Sequence, residues 1–124
     1  MVLLAQAIGA LFGLLAVVFG AFGAHTLKKS LTNEQLKSFE TGVKYQIYHA
    51  IVLLVLSFNL NLDTALESNM IYCFILGTFL FSFSIYVLVI GASKGKNMKF
   101  LGPITPLGGL LLVAGWAELP GLAR

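Results

Sequence analysis

The sequence predicts an all-α integral membrane protein, a bundle of four transmembrane helices with a short cytoplasmic interfacial helix between helices one and two. Three observations predict it. The 124 residues are 58% hydrophobic and only 10% charged, whereas soluble domains carry about 25% charged residues. Mean hydropathy is +0.91. The charges are also segregated: Met1–Leu27, Tyr45–Leu62, Ser68–Ser93 and Phe100–Ala117 contain no Asp, Glu, Lys or Arg. A hydrocarbon core about 30 Å thick needs roughly 20 apolar residues at about 1.5 Å of rise each. Each stretch reaches that length, or nearly so once its flanks are counted, and none alternates as a membrane strand must. A water-soluble globule and a disordered chain are both excluded. The length allows one domain, 1–124.

The first helix is expected near 3–26. Nothing basic precedes Lys28 and the apolar run is long, so it reads as a true span and not as a cleaved signal peptide. Its small residues fall on one side: Ala5, Gly9, Gly13, Ala16, Gly20, Gly23 and Ala24 lie within an arc of about 100°. Leu4, Leu11, Leu15, Val18 and Phe22 crowd the opposite side. Membrane helices associate through such small faces, which let backbones approach. Two uses of the stripe stand open, packing within the chain and contact with another chain.

In the first connection, Thr32 with Gln35 makes a capping-box pattern, so a helix is expected to start at Asn33. Leu36 and Phe39 share a side. A short amphipathic helix near 33–41 lying on the inner leaflet follows, with Gly42 as the bend into helix two. Helix two is expected near 43–62 and helix three near 70–92. The third carries Thr78, Ser82 and Tyr86 at i, i+4 and i+8, a mildly polar stripe suited to interhelical hydrogen bonds. Helix four is expected near 102–119. Its opening, Gly102-Pro103-Ile104-Thr105-Pro106-Leu107-Gly108-Gly109, reads in two ways. Both prolines can sit in the first turn of a complete helix, or Thr105 can cap a shortened one whose free N–H groups face an anionic solute. Thr105, Gly108, Leu112 and Gly115 make a narrow packing face, expected toward helix one.

Topology follows from the lysines. Lys28, Lys29, Lys37 and Lys44 flank the first connection, and Lys94, Lys96 and Lys99 lie in the third. The second connection has Asp63 and Glu67 without a base, and the C-terminus has only Arg124. The positive-inside rule puts the lysine-rich side in the cytoplasm and both termini on the non-cytoplasmic side of an inner membrane. It also accounts for the net charge of +3, since these lysines meet anionic lipid headgroups and not nucleic acid. The lone Cys73 cannot form an internal disulfide.

Polar groups inside a bilayer are functional candidates because burying them is costly. His25, Tyr45, Gln46, His49, Tyr86 and Thr105 are placed toward the cytoplasmic side, with Pro103 and Pro106 nearby. Tyr45, Gln46 and His49 lie within about 100° on helix two and can form a cluster a turn or two inside the interface. Gln6, Asn59 and Glu118, the last beside Trp116, lie toward the outer side. Structural pairing, a proton- or solute-handling site and haem ligation by His25 and His49 compete as explanations of the histidines. Haem fits worst, because His25 lies about 160° from Gly9 on the wheel. No phosphate loop, metal-ligand cluster or nucleophile triad occurs, so neither an enzyme nor a cofactor is expected.

Three stretches stand out together: GAFGAH at Gly20–His25, TGVKYQIYHA at Thr41–Ala50, and GPITPLGG at Gly102–Gly109 followed by Gly115-Trp116. In them the chain resembles the small membrane-protein family known as domain of unknown function 423, over nearly its whole length. The resemblance implies a four-helix membrane protein and brings no activity, substrate or cofactor. Its signature positions are His25, Tyr45, Gln46, His49, Gly102, Pro103, Thr105, Pro106 and Trp116. The functional expectation is an interaction or accessory subunit packing through its small-residue helix faces, with membrane lipid and a homo-oligomer or larger membrane complex as partners. The alternative is a small-solute or proton permeation unit using the His49 cluster and the Gly102–Gly109 segment.

Overall fold

The computed structural model describes residues 1–96 and 98–122. Arg124, which entered the charge comparison, lies outside them. Four helices span the molecule: α1 (Val2–His25), α2 (Asn33–Asn59), α3 (Ala65–Ser93) and α4 (Ile104–Glu118). All four are long and apolar enough to cross a membrane, α4 when counted with the short 3-10 turn Lys99–Leu101 before it. Among the described residues there is no strand.

The capping box at the start of α2 forms as expected. Thr32 Oγ1 accepts from the Gln35 N–H at 3.1 Å, and Gln35 Oε1 accepts from the Thr32 N–H at 3.0 Å. The separate interfacial helix near 33–41 does not form. Asn33–Asn59 is one unbroken helix of 27 residues. Phe39, 2% exposed, turns into the protein and not onto a leaflet. Gly42 is no hinge: a Cβ there would stand 2.8 Å from Tyr86 Cε1, so glycine supplies room for a ring.

A second capping box, unremarked in the sequence, starts α3 five residues before the expected boundary at 70. Thr64 Oγ1 accepts from the Glu67 N–H, and Glu67 Oε1 accepts from the backbones of Thr64 and Asp63. α3 widens into a π-helical turn at Phe79–Phe83 before resuming α-geometry. At the other end of the chain's third connection, α4 begins with Pro103 as its cap and Pro106 in its first turn. Thr105 does not cap it, so both prolines sit at its opening where a missing N–H costs nothing, but the helix is 15 residues long and a 3-10 turn at Lys99–Leu101 precedes it.

Packing follows consecutive pairs. α1 lies along α2 and α4 along α3, while α2 and α3 join the two hairpins; α1 and α4 share no extensive contact. The small stripe of α1 is used within the chain. A Cβ on Gly9 would come within 3.2 Å of Ala50 O and Leu53 Cβ, one on Gly23 within 3.1 Å of the Phe39 ring, and one on Gly20 within 3.6 Å of Val43. Gly13 faces Ala50 with more room, and Ala16 is 2% exposed. The packing face of α4 meets α3 instead of α1. Gly108 lies so close to the π turn that a Cβ would strike Phe81 N, and Gly115 lies against the Phe74 ring. The expectation of helix one failed because the widened turn of α3 is where the backbones can approach. The outward surface is a belt of large apolar side chains, among them Leu14, Val17, Ile51, Phe58, Leu110 and Val113.

Candidate functional site

The polar residues of α2 are drawn into the interior because α2 touches every other helix. Gln46 is fully buried. Its Nε2 donates to Phe12 O of α1 at 2.8 Å, and its Oε1 accepts from the Tyr86 hydroxyl of α3 at 2.7 Å. One amide therefore fastens three helices, each end of it matched to a partner of the right sense. Tyr86 is walled by the rings of Phe19, Phe39 and Phe83, with centroids 5.0 to 5.4 Å away. Just along α3, Ser82 Oγ donates to Gly42 O at 2.7 Å. Ser84 of α3 pairs with Thr105 of α4 through their hydroxyls.

His49, 4% exposed, ties α2 to α4. The Trp116 indole N–H donates to His49 Nε2 at 3.0 Å, and His49 Nδ1 lies 2.7 Å from Tyr45 O. An indole N–H can only donate, so Nε2 is the acceptor and Nδ1 carries the proton it gives to Tyr45 O. The ring is thereby neutral, with both nitrogens in use. His49 stands ten residues before the end of α2, which is about 15 Å of helix. It also stands five residues past Lys44, about 7 Å of helix.

The structure divides the residues named from the sequence into two groups. Gln46, His49 and Tyr86 are all buried, but in separate pairings: Gln46 bonds Tyr86, His49 bonds Trp116, and Thr105 pairs with Ser84. His25 is not buried: it is the exposed last residue of α1. Tyr45 contributes its carbonyl while its ring lies 40% exposed beside Phe81. Pro103 and Pro106 face outward in the first turn of α4. The two histidines accordingly do not face each other, and the arrangement needed for haem is missing. Among the described residues no group of three His, Cys, Asp or Glu could hold a metal. Trp116 was singled out only through its place in the resemblance. The signal available was its indole N–H, which seeks an acceptor when it lies in hydrocarbon.

Among the described residues two buried side-chain polar atoms have no partner, Thr78 Oγ1, one turn before Ser82 on α3, and Glu118 Oε2 at the far end of α4. Glu118 Oε1 accepts from Asn69 Nδ2 at 2.7 Å and stands 3.8 Å from Cys73 Sγ. This small cluster joins the first half of α3 to the end of α4.

The profile of the family described as "Protein of unknown function (DUF423)" matches residues 19–109, a stretch holding Gln46, His49, Tyr86 and Thr105. The chain belongs to this family. It is 36% identical over 90% of its length to the UPF0382 membrane protein SH2409 of Staphylococcus haemolyticus, covering 88% of that protein. It is 37% identical over 88% of its length to the UPF0382 membrane protein YwdK of Bacillus subtilis, covering 86% of it. A eukaryotic relative, the UPF0382 membrane protein C1782.12c of Schizosaccharomyces pombe, is 35% identical over 90% of this chain and 94% of its own. No solved structure matches the chain. With four candidate spans, it is a multi-pass membrane protein.

Proposed function

We propose that this chain is an interaction or accessory subunit of the inner membrane, assembling through a face of α2 with a second copy or with another membrane subunit. One observation carries the reading. Tyr48 is 53% exposed on α2 and its hydroxyl has no hydrogen-bond partner among the described residues. It lies four residues past Lys44, about 6 Å into the charge-free run of α2. A hydroxyl facing hydrocarbon is costly unless another protein group meets it. Tyr45 lies beside it, with ring centroids 6.1 Å apart, and widens the aromatic face. The stripe of α1 supports assembly less, since α2 already covers it.

Extraction in a mild detergent, followed by mass determination of the native particle, tests the reading. An oligomer or a co-purifying membrane subunit is expected, weakened by Tyr48→Phe; a monomer that elutes alone at every concentration overturns it. The permeation alternative draws on Thr78 Oγ1, a buried hydroxyl without a partner one turn before Ser82 on α3. Its test is flux into liposomes, compared between the native chain and the His49→Ala and Thr105→Val variants. The proposed orientation puts the connections bearing Lys28, Lys29, Lys94 and Lys96 in the cytoplasm and both termini outside.

A further inference from the structure

Among the described residues, three hollows border the second half of α3. One of about 300 Å³ lies between α1 and α3, with Phe19, Phe22, Leu27 and Phe39 in its wall. A second of about 240 Å³ lies on the opposite flank toward the start of α4, against Leu80, Leu101 and Ile104. A third of about 270 Å³ closes the lysine-rich end, bounded by Gly91, Lys94, Lys96 and Met98. Val87 borders all three and is 43% exposed, so it forms a ridge with a hollow to either side. From Phe83 to Lys94 is eleven residues, about 16 Å of helix, which matches one leaflet of a hydrocarbon core about 30 Å thick.

The charged end of this surface is built, not trailing. Gly95 takes φ +75°, the Lys96 N–H donates to Gly91 O at 2.8 Å, and the Gly95 N–H donates to Ala92 O at 3.1 Å. This paired closure of a helix C-terminus fixes the backbone of the two lysines at the mouth of the hollows. On the α1 side the wall residue Leu27 leads directly into the exposed Lys28 and Lys29.

We propose that this surface binds an anionic phospholipid, with its acyl chains in the hollows on either side of Val87 and its phosphate held by Lys94 and Lys96. Apolar troughs one leaflet deep that end in paired cations complement such a molecule at both ends. Basic pockets between transmembrane helices recognise anionic headgroups in this manner. A partner helix fits less well, because a cylinder about 10 Å wide would have to seat on the Val87 ridge and could not fill the hollows beside it.

The test titrates the full chain in detergent with palmitoyl-oleoyl phosphatidylglycerol or with phosphatidylcholine bearing the same chains, and counts adducts by native mass spectrometry. One discrete adduct with the anionic lipid is expected, at least about 10-fold tighter than with the zwitterionic one. Lys94→Gln with Lys96→Gln should abolish that preference and leave the weaker binding, while the double arginine variant keeps it. Val87→Trp, which fills the hollows from an exposed position, should weaken both lipids several-fold; circular dichroism in the same detergent checks that each variant stays helical. Equal binding of the two lipids by the native chain overturns the proposal. So does a preference that survives the double glutamine change, or lipid binding that ignores Val87→Trp.

Discussion

Gln46 illustrates how much a single side chain can hold in a medium that offers no competing water. It donates to α1 and accepts from α3. Tyr86→Phe removes one of those bonds and keeps the ring, so a loss of about 0.6–1.7 kcal/mol is expected, the range of interhelical hydrogen bonds in membranes. Gln46→Leu removes both bonds and strands the Tyr86 hydroxyl, so it should cost more, about 2 kcal/mol or above. Unfolding of the detergent-solubilised protein by sodium dodecyl sulfate reads both, and equal losses would show that the amide is not the hub. Leu62, in the connection between α2 and α3, makes a different case. It is 2% exposed and sits at φ 55°, the left-handed region that disfavours side chains. Leu62→Ala loses the buried side chain and keeps the strain; Leu62→Gly loses the same contacts and releases about 1 kcal/mol of it. Glycine is therefore expected to be the milder substitution, measured in the same unfolding assay.

Among elements, the close contact that decides the architecture is the crossing of α3 and α4. A methyl on Gly108 would strike the backbone of Phe81, and one on Gly77 would reach Leu112 N at 2.9 Å. No rotamer change can relieve a clash with backbone. Gly108→Ala should thus cost about 3 kcal/mol or more by forcing the helices apart. Gly13→Ala, with its nearest neighbour at 3.8 Å, should be neutral or slightly stabilising, since alanine favours a helix. Thermal unfolding of the two variants side by side separates a tight crossing from a generally small face. The stripe on α1 and the pattern Thr32-x-x-Gln35 were legible because each is a local regularity. Thr64-x-x-Glu67 was equally legible and carries the same geometry. The π turn at Phe79–Phe83 was not, as nothing in five residues of FLFSF distinguishes a wide turn from an ordinary one. For the same reason the partner of the α4 face was misread. Gly42 looked like a hinge because a glycine between a polar and an apolar run often is; only the position of Tyr86, forty-four residues on, reveals its use as a space. In the site, helical angle groups Tyr45, Gln46 and His49, of which Gln46 and His49 are buried, whereas His25, Tyr86 and Thr105 are placed by depth and Pro103 and Pro106 by the resemblance, neither of which says where a side chain faces.

For the whole molecule, the proposed orientation is open to direct measurement. Replacing Cys73 with Ser and introducing single cysteines at Asn61 and Ser30 provides two reporters in connections on opposite ends. A membrane-impermeant maleimide added to intact cells should label the first and spare the second. The reverse result inverts the orientation and would move the lysine-rich end, with its apolar hollows, to the opposite leaflet.

The pairing of neighbours in the chain, α1 with α2 and α3 with α4, bears on how the protein is made. A hairpin whose close contacts run from Gly9–Ala50 to Gly23–Phe39 has every residue of that seam in hand before the ribosome has delivered the latter half. Biogenesis can then proceed as two insertion events followed by one docking step, with the Gln46 amide already bound to α1 and awaiting only the hydroxyl of Tyr86.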